Sequence, residues 1–185
     1  MKIFAIVIAR GGSVGIPKKN ISLVNGQPLI SYTIKQCFDS GIEEVYTSSD
    51  DDEILEIALS YGSKIIKRPI EISNNNSTSE QAWIHAIKNI ENVDEKNDWI
   101  FAPQVTSPIR HCEDIEKACY LAKSNKYDSL LSVVEFDDFF LWESSGLTII
   151  PLNHDFKNRK RRQEIDKKTY LENGSFYMFK PTGLF

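Results

Sequence analysis

The run Ile3-Phe4-Ala5-Ile6-Val7-Ile8-Ala9 is apolar at every position and stops at Arg10-Gly11-Gly12. A strand with one wet face alternates apolar and polar residues, so an unbroken run predicts a parallel strand buried on both faces. It is too short to span a bilayer, which takes about 20 apolar residues. The next segment is a loop of glycines and cations rather than a cleavage site, so the expectation is a soluble, cytoplasmic protein with no membrane attachment.

Strand and helix signals then alternate. Pro28 opens a stretch with Leu29, Ile30, Thr33, Ile34, Cys37 and Phe38 at helical spacing, closed by Gly41. Val45-Tyr46-Thr47-Ser48 reads as a strand, and Asp50 with Glu53 as a capping box before Ile54, Leu55, Ile57, Ala58 and Tyr61, with Gly62 as the stop. Ile65-Ile66 is a short strand, Ser77 with Glu80 a second capping box, and Ala82, Ile84, Ile87 and Ile90 the apolar face of the next helix. Trp99 to Ala102 predicts a strand, Ile115 to Ala122 a helix, and Leu130 to Val134 a further buried strand. This alternation predicts an α/β fold, Rossmann-like and doubly wound, with a mostly parallel sheet and helices on both faces.

With 185 residues and 41% apolar content, one domain over residues 1–185 is expected. After Glu135 the pattern breaks into Phe136, Phe139, Phe140 and Trp142, a Gly146 turn and a basic segment, so residues 136–172 read as an excursion before an apolar strand from Gly174 to Phe179. The formal charge of -4 argues against a surface built for nucleic acid, so any anion site must be local. Cys37, Cys112 and Cys119 have no zinc-type spacing and read as reduced, buried thiols.

In an open parallel sheet, ligands bind beyond the carboxyl ends of the strands. The loop after the first strand, Arg10-Gly11-Gly12-Ser13-Val14-Gly15-Ile16-Pro17-Lys18-Lys19-Asn20, holds three glycines, a hydroxyl and three cations. Glycine lets backbone N–H groups close on phosphate oxygens, and lysine adds a mobile charge. The loop lacks the ending of a Walker A motif, and no helix opens at its third glycine as in a dinucleotide fingerprint. Taken alone, it is compatible with simple turn chemistry as well as with phosphate binding.

The segments Ala9 to Ser13, Gly15-Ile16-Pro17 and Lys19-Asn20 resemble the nucleotide-binding signature of the acylneuraminate cytidylyltransferases, the CMP-sialic acid synthetase family. Gly26-Gln27-Pro28-Leu29-Ile30, Ser48-Ser49-Asp50, Arg68-Pro69 with Glu71, Gln104 to Arg110, and Asn173-Gly174 match in the same order, so the resemblance covers nearly the whole chain. It implies transfer of CMP from CTP to the anomeric hydroxyl of a nonulosonic acid of sialic or legionaminic type, with release of pyrophosphate and Mg²⁺ as cofactor. Arg10 and Lys19 are the implied catalytic residues. Arg10, Gly11, Gly12, Ser13, Gly15, Lys19, Asn20, Arg68 and Ser79 are the implied nucleotide-binding set, although Ser79 comes after two candidate helix caps, Ser77 and Thr78.

Gln104, Thr106, Ser107 and Asn173 resemble sugar-facing positions, while Arg110 either pairs with an anion or lies in solvent. Asp50 could in principle bind a metal, but its place before a helix favours capping. Residues 157–168 carry seven Lys or Arg against two acidic residues. Arginine suits a two-pronged bond to a carboxylate, and in this family such a segment, here with Arg161, Arg162 and Gln163, implies a homodimer whose partner's sugar pocket it serves. This run is most similar to the legionaminic-acid branch.

Two departures from the family pattern stand out. Val14 replaces a usual lysine, and the chain stops before the family's closing segment with its paired aspartates, which leaves the metal ligands unassigned. Rival readings are a related nucleotidyltransferase for an eight-carbon keto-sugar acid or a sugar phosphate, a nucleotide-binding module without catalysis, and an RNA contact through the basic run. Lysine at position 14 would set a charge beside a triphosphate, so Val14→Lys is expected to tighten CTP binding about tenfold, roughly 1.4 kcal/mol. The gain for CMP should be smaller. Titration at fixed salt and Mg²⁺ checks this, and an unchanged CTP affinity would mean that residue 14 does not face the phosphates.

Overall fold

The computed structural model of the chain describes residues 1–13, 15–124, 126–136, 140–164 and 168–185. Its strands are β1 (Ile3–Ile8), β2 (Leu23–Val24), β3 (Gln27–Pro28), β4 (Glu44–Ser49), β5 (Lys64–Lys67), β6 (Trp99–Pro103), β7 (Ser129–Glu135), β8 (Trp142–Ser145), β9 (Thr148–Pro151) and β10 (Tyr170–Phe179). The α-helices are α1 (Leu29–Asp39), α2 (Asp52–Ser60), α3 (Ser79–Lys88) and α4 (Cys112–Lys123). Six strands form one sheet in the order β5-β4-β1-β6-β10-β7. β5, β4, β1 and β6 pair in parallel, and β10 runs antiparallel to β6.

β1 explains why its sequence has no polar alternation. Ala5, Val7 and Ala9 belong to a core shared with Ile30, Ile34, Ile54, Ala58, Ile115 and Ala122 of α1, α2 and α4. Phe4 and Ile6 enter a second core with Trp83, Ala86 and Ile87 of α3. Trp99 and Phe101 of β6 face the first core, while Ile100 and Ala102 face the second. Helices therefore cover both faces of the sheet, as the alternating pattern predicts.

Several local expectations need correction. α2 is capped by Asp51, whose Oδ1 accepts from the N–H groups of Glu53 and Ile54, and not by Asp50. The Asp50-Asp51-Asp52 run offers three candidate caps, and the Asp50 carboxylate instead accepts from Gly11 N–H at 3.1 Å. The capping box of α3 is Thr78 with Gln81, because Ser77 Oγ accepts from Asn74 N–H in the preceding loop. Trp83, one residue from the expected Ile84, takes the buried position. Leu131, Val133 and Val134 of β7 are 50%, 42% and 48% exposed, so this strand is an exposed sheet edge rather than a buried one. Cys37 and Cys119 are buried free thiols, whereas Cys112 is only half-buried. Burial pushes the Cys37 thiol up to about 12, which leaves it inert at neutral pH.

The chain divides into two compact units, residues Met1–Leu131 with Gly174–Phe185, and residues Ser132–Asn173. In the second, β8 and β9 form an antiparallel hairpin closed at Gly146, which has a φ of 62°. His154 packs against Phe140 and Trp142, and the Arg159 guanidinium lies 4.1 Å from the Phe140 ring centroid. Phe139 lies outside the described residues.

Arg110 does not lie in solvent, and its side-chain partners among the described residues are neutral oxygens. It is 7% exposed and donates to Gln36 Oε1, Ser175 Oγ, Ser175 O and Gln104 O, while Gln36 Nε2 donates to Pro108 O and Arg110 O. This network ties α1, the turn after β6 and the chain entering Gly174 to Phe179. Burial holds its guanidinium below the ordinary arginine range. Removing it strips several buried acceptors of their donors, so Arg110→Ala should cost about 3 kcal/mol. A denaturant melt checks this, and a midpoint equal to the parent's would show that the network carries no stability.

Candidate nucleotide site

The sheet order changes direction at β1. The chain leaves β1 for β4 on one side and later returns to β6 on the other, which opens a crevice beyond the carboxyl ends of these strands. A cavity of about 380 Å³ lies there. It is lined by Arg10, Ser13, Gly15, Lys19 and Asn20 from the loop after β1, by Arg68 after β5, and by Gln104 and Thr106 after β6.

The loop after β1 is held by its own polar groups. Ala9 N–H still pairs with Ser48 O at 3.0 Å, and the chain then turns so that Gly11 N–H donates to Asp50 Oδ1. A Cβ on Gly11 would stand 2.6 Å from Asp51 Oδ2 and 2.9 Å from Asp51 Cβ, so close approach requires glycine here. Asn20, buried in the turn Lys19–Ile21, donates from Nδ2 to Arg10 O at 3.0 Å and closes the base of the loop. Lys18, in the left-handed region at φ 51°, sends its ammonium to Glu53. Of the two adjacent lysines, only Lys19 lines the cavity.

Opposite the loop, Arg68 is fixed at three points. Its backbone N–H donates to Ser49 O at 2.8 Å, its Nε donates to Ser73 Oγ at 2.9 Å, and its Nη2 lies 3.8 Å from Asp50 Oδ1. It is 4% exposed, which rules out an ordinary solvated arginine before a proline. Burial draws its guanidinium below the usual arginine range; Asp50 opposes that shift and Arg10 reinforces it. Arg10 Nη1 donates to Asn74 O at 2.8 Å, bridging the glycine loop to the segment before α3. The first turn of α3 reaches the cavity through Thr78 and Ser79, so Ser79 lines it while Thr78 serves as the cap.

Among the described residues, the lining contains three cations, Arg10, Lys19 and Arg68, and no Asp, Glu or His. In a chain of net charge -4 this is a local reversal of sign, suited to a polyanion. The same lining offers no carboxylate to a divalent ion, and no group of three or more metal-ligating side chains occurs among the described residues. The described lining therefore does not itself supply the one or two carboxylates that Mg²⁺ takes besides substrate phosphates.

Not every expected residue reaches the cavity. Gly11 and Gly12 do not line it, and neither does Ser107, whose N–H donates to Gln104 O. Arg161, Arg162, Gln163 and Asn173 belong to the unit of residues Ser132–Asn173, where Asn173 Oδ1 accepts from Ser132 Oγ and Arg162–Glu164 forms a short 3-10 turn. Val14 lies outside the described residues, as do residues 165–167 of the basic run. Sequence reasoning misses Ser73, Asn74, Asn75 and Ser77, all of which line the cavity. The signal for them exists, since this polar loop joins the end of β5 to the start of α3, both on the ligand side of the sheet.

A family model described as Cytidylyltransferase matches residues 4–172. N-acylneuraminate cytidylyltransferase A of Danio rerio is 37% identical over 183 residues, which is 96% of this chain and 41% of that protein. Pseudaminic acid cytidylyltransferase of Campylobacter jejuni subsp. jejuni serotype O:2 is 34% identical over 184 residues, again 96% of this chain but 78% of that protein. The chain thus spans about two fifths of the fish enzyme's length and most of the bacterial one's. A solved structure of CMP:2-keto-3-deoxy-manno-octonic acid synthetase complexed with CTP has the same fold, with a TM-score of 0.73 at 16% identity over 100% of this chain and 76% of that one. By sequence and by fold, the chain belongs to the cytidylyltransferase family.

Proposed function

We propose that the chain transfers CMP from CTP to the anomeric hydroxyl of a nonulosonic acid and releases pyrophosphate. The observation that carries this reading is the cavity lined by Arg10, Lys19 and Arg68 without a carboxylate, beyond the strand ends of a cytidylyltransferase fold. Relatives named for N-acylneuraminate and pseudaminic acid support an acidic sugar as the acceptor.

The sugar oxygen attacks the α-phosphorus in line. A new P–O bond forms, the bond to the bridging oxygen of the β-phosphate breaks, pyrophosphate leaves with that bonding pair, and the hydroxyl proton passes to solvent water. The side chains act by placement and charge, since no carboxylate or imidazole among the described lining residues could take the hydroxyl proton. Lys19 is the mobile cation for charge that builds on the reacting phosphate, and Arg10 flanks it. Arg68, Asn20 and Ser79 serve the cytidine end, and Gln104 and Thr106 the acceptor end. Mg²⁺ would accompany the triphosphate as its counter-ion and, when bound, supply charge neutralisation at the phosphates.

We propose a cytoplasmic activity with no membrane or nucleic-acid partner. No helix among the described residues is long and apolar enough to cross a membrane. A homodimer is the proposed assembly, supported by the exposure of Trp142, Leu147, Ile149, Ile150 and Leu152 in the unit of residues Ser132–Asn173. Arg161, Arg162, Gln163 and Asn173 are its proposed contribution to sugar binding.

Calorimetric titration with the four nucleoside triphosphates tests the nucleotide assignment, followed by pyrophosphate release from CTP across a panel of keto-sugar acids. CTP should bind more tightly than ATP or GTP, and release should require a nonulosonic acid. Equal affinity for all four nucleotides would contradict the assignment.

A further inference from the structure

Asp50 is a half-buried carboxylate that the proposed reaction does not use. It does not line the cavity, and α2 takes its cap from Asp51, so neither ligand contact nor capping accounts for it. Its side chain is 11% exposed, and one atom, Oδ1, receives the Gly11 N–H at 3.1 Å and lies 3.8 Å from Arg68 Nη2. The Arg68 side chain is 4% exposed. A guanidinium withdrawn this far from water needs a counter-charge. Among the described residues, Asp50 is the carboxylate within ion-pair distance of it.

We propose that Asp50 is a positioning residue: its Oδ1 indexes the Arg68 guanidinium against the glycine loop and so presets the nucleotide face of the cavity. The proposal rests on the reading of that cavity as a CTP site. The loop after β1 and the chain after β5 are far apart in sequence, and this oxygen is common to both. Ser73 Oγ holds Arg68 from its Nε side at 2.9 Å, so the guanidinium is gripped from two directions while it faces the cavity. Lys67 Nζ donates to Asp50 O at 2.8 Å and steadies the backbone that presents the carboxylate. Because Asp50 acts through Arg68, its effect on nucleotide binding must vanish when Arg68 is absent.

Asp50→Asn keeps an acceptor oxygen for Gly11 N–H, removes the negative charge and turns the second oxygen into an amide donor. CTP affinity is measured by calorimetry for the parent, Asp50→Asn, Arg68→Met and the double variant, with a thermal melt of each. Asp50→Asn should weaken CTP binding about tenfold, Arg68→Met should weaken it as well, and the double variant should bind no worse than Arg68→Met alone. A merely structural role would lower the melting point and repeat its full effect in both backgrounds. Parental affinity in Asp50→Asn, or a loss that repeats on top of Arg68→Met, overturns the proposal. Should Asp50→Asn fail to fold, Asp50→Glu keeps the charge but displaces it, and the same non-additive pattern is expected; parental affinity in that variant overturns the proposal. A parent that does not bind CTP removes the functional reading and this inference together, whereas a CTP-binding parent matched by Asp50→Asn removes this inference alone.

Discussion

The burial of β1 on both faces is the constraint on which the site depends. Phe4 and Ile6 lock the strand to α3, and Ala5, Val7 and Ala9 lock it to α1, α2 and α4. Neither face can turn to water without exposing a core, so β1 stays central and its register with β4 and β6 is fixed. The polar residues after Ala9 must then leave the sheet between β4 and β6, where the sheet order reverses. The position of the glycine loop is thus set by apolar packing beneath it, and its chemistry only has to act where it is placed.

Charge is sorted around that position. An acidic chain cannot attract a triphosphate through its overall field, so the sign must reverse locally. Arg10, Lys19 and Arg68 face the cavity, while nearby carboxylates are held behind it: Asp50 by Gly11 N–H and Arg68, Asp51 by the first turn of α2, and Glu53 by Lys18. The pairing of Lys18 with Glu53 shows why adjacent lysines are not interchangeable, since the left-handed backbone at Lys18 sends its ammonium away while Lys19 turns inward.

Much of the fold is legible in the sequence because strong, redundant signals agree. The unbroken β1 run, the helical spacing in Leu29 to Phe38, and Gly41 and Gly62 as terminators at φ 78° and 88° all say the same thing locally. Capping is ambiguous wherever several acceptors stand in a row, as at Asp50-Asp51-Asp52 and Ser77-Thr78-Ser79, because the choice depends on tertiary partners such as Gly11 N–H and Asn74 N–H. The same reason hides the contacts of Asp50 and Arg110, whose partners include residues 39 or more positions away. The exposure of β7 escapes a reading of the sequence because an apolar run shows composition and not its place in the sheet, and Leu131, Val133 and Val134 sit at the edge. Of the candidate site, the loop residues are readable from their chemistry, whereas the segment from Ser73 to Ser77 gains its meaning only when α3 brings it over the cavity.

The cavity beyond β1 and β6 is the proposed seat of the nucleotide, and every assigned side-chain role depends on that placement. A crystal structure of the chain with CTP bound tests it most directly. Phosphate oxygens should lie within hydrogen-bond distance of Lys19 and of the backbone of Ser13 or Gly15, with the cytosine on the side of Arg68 and Ser79. A nucleotide bound elsewhere on the chain, or one in this cavity with Arg68 and Lys19 both out of reach of it, would contradict the placement.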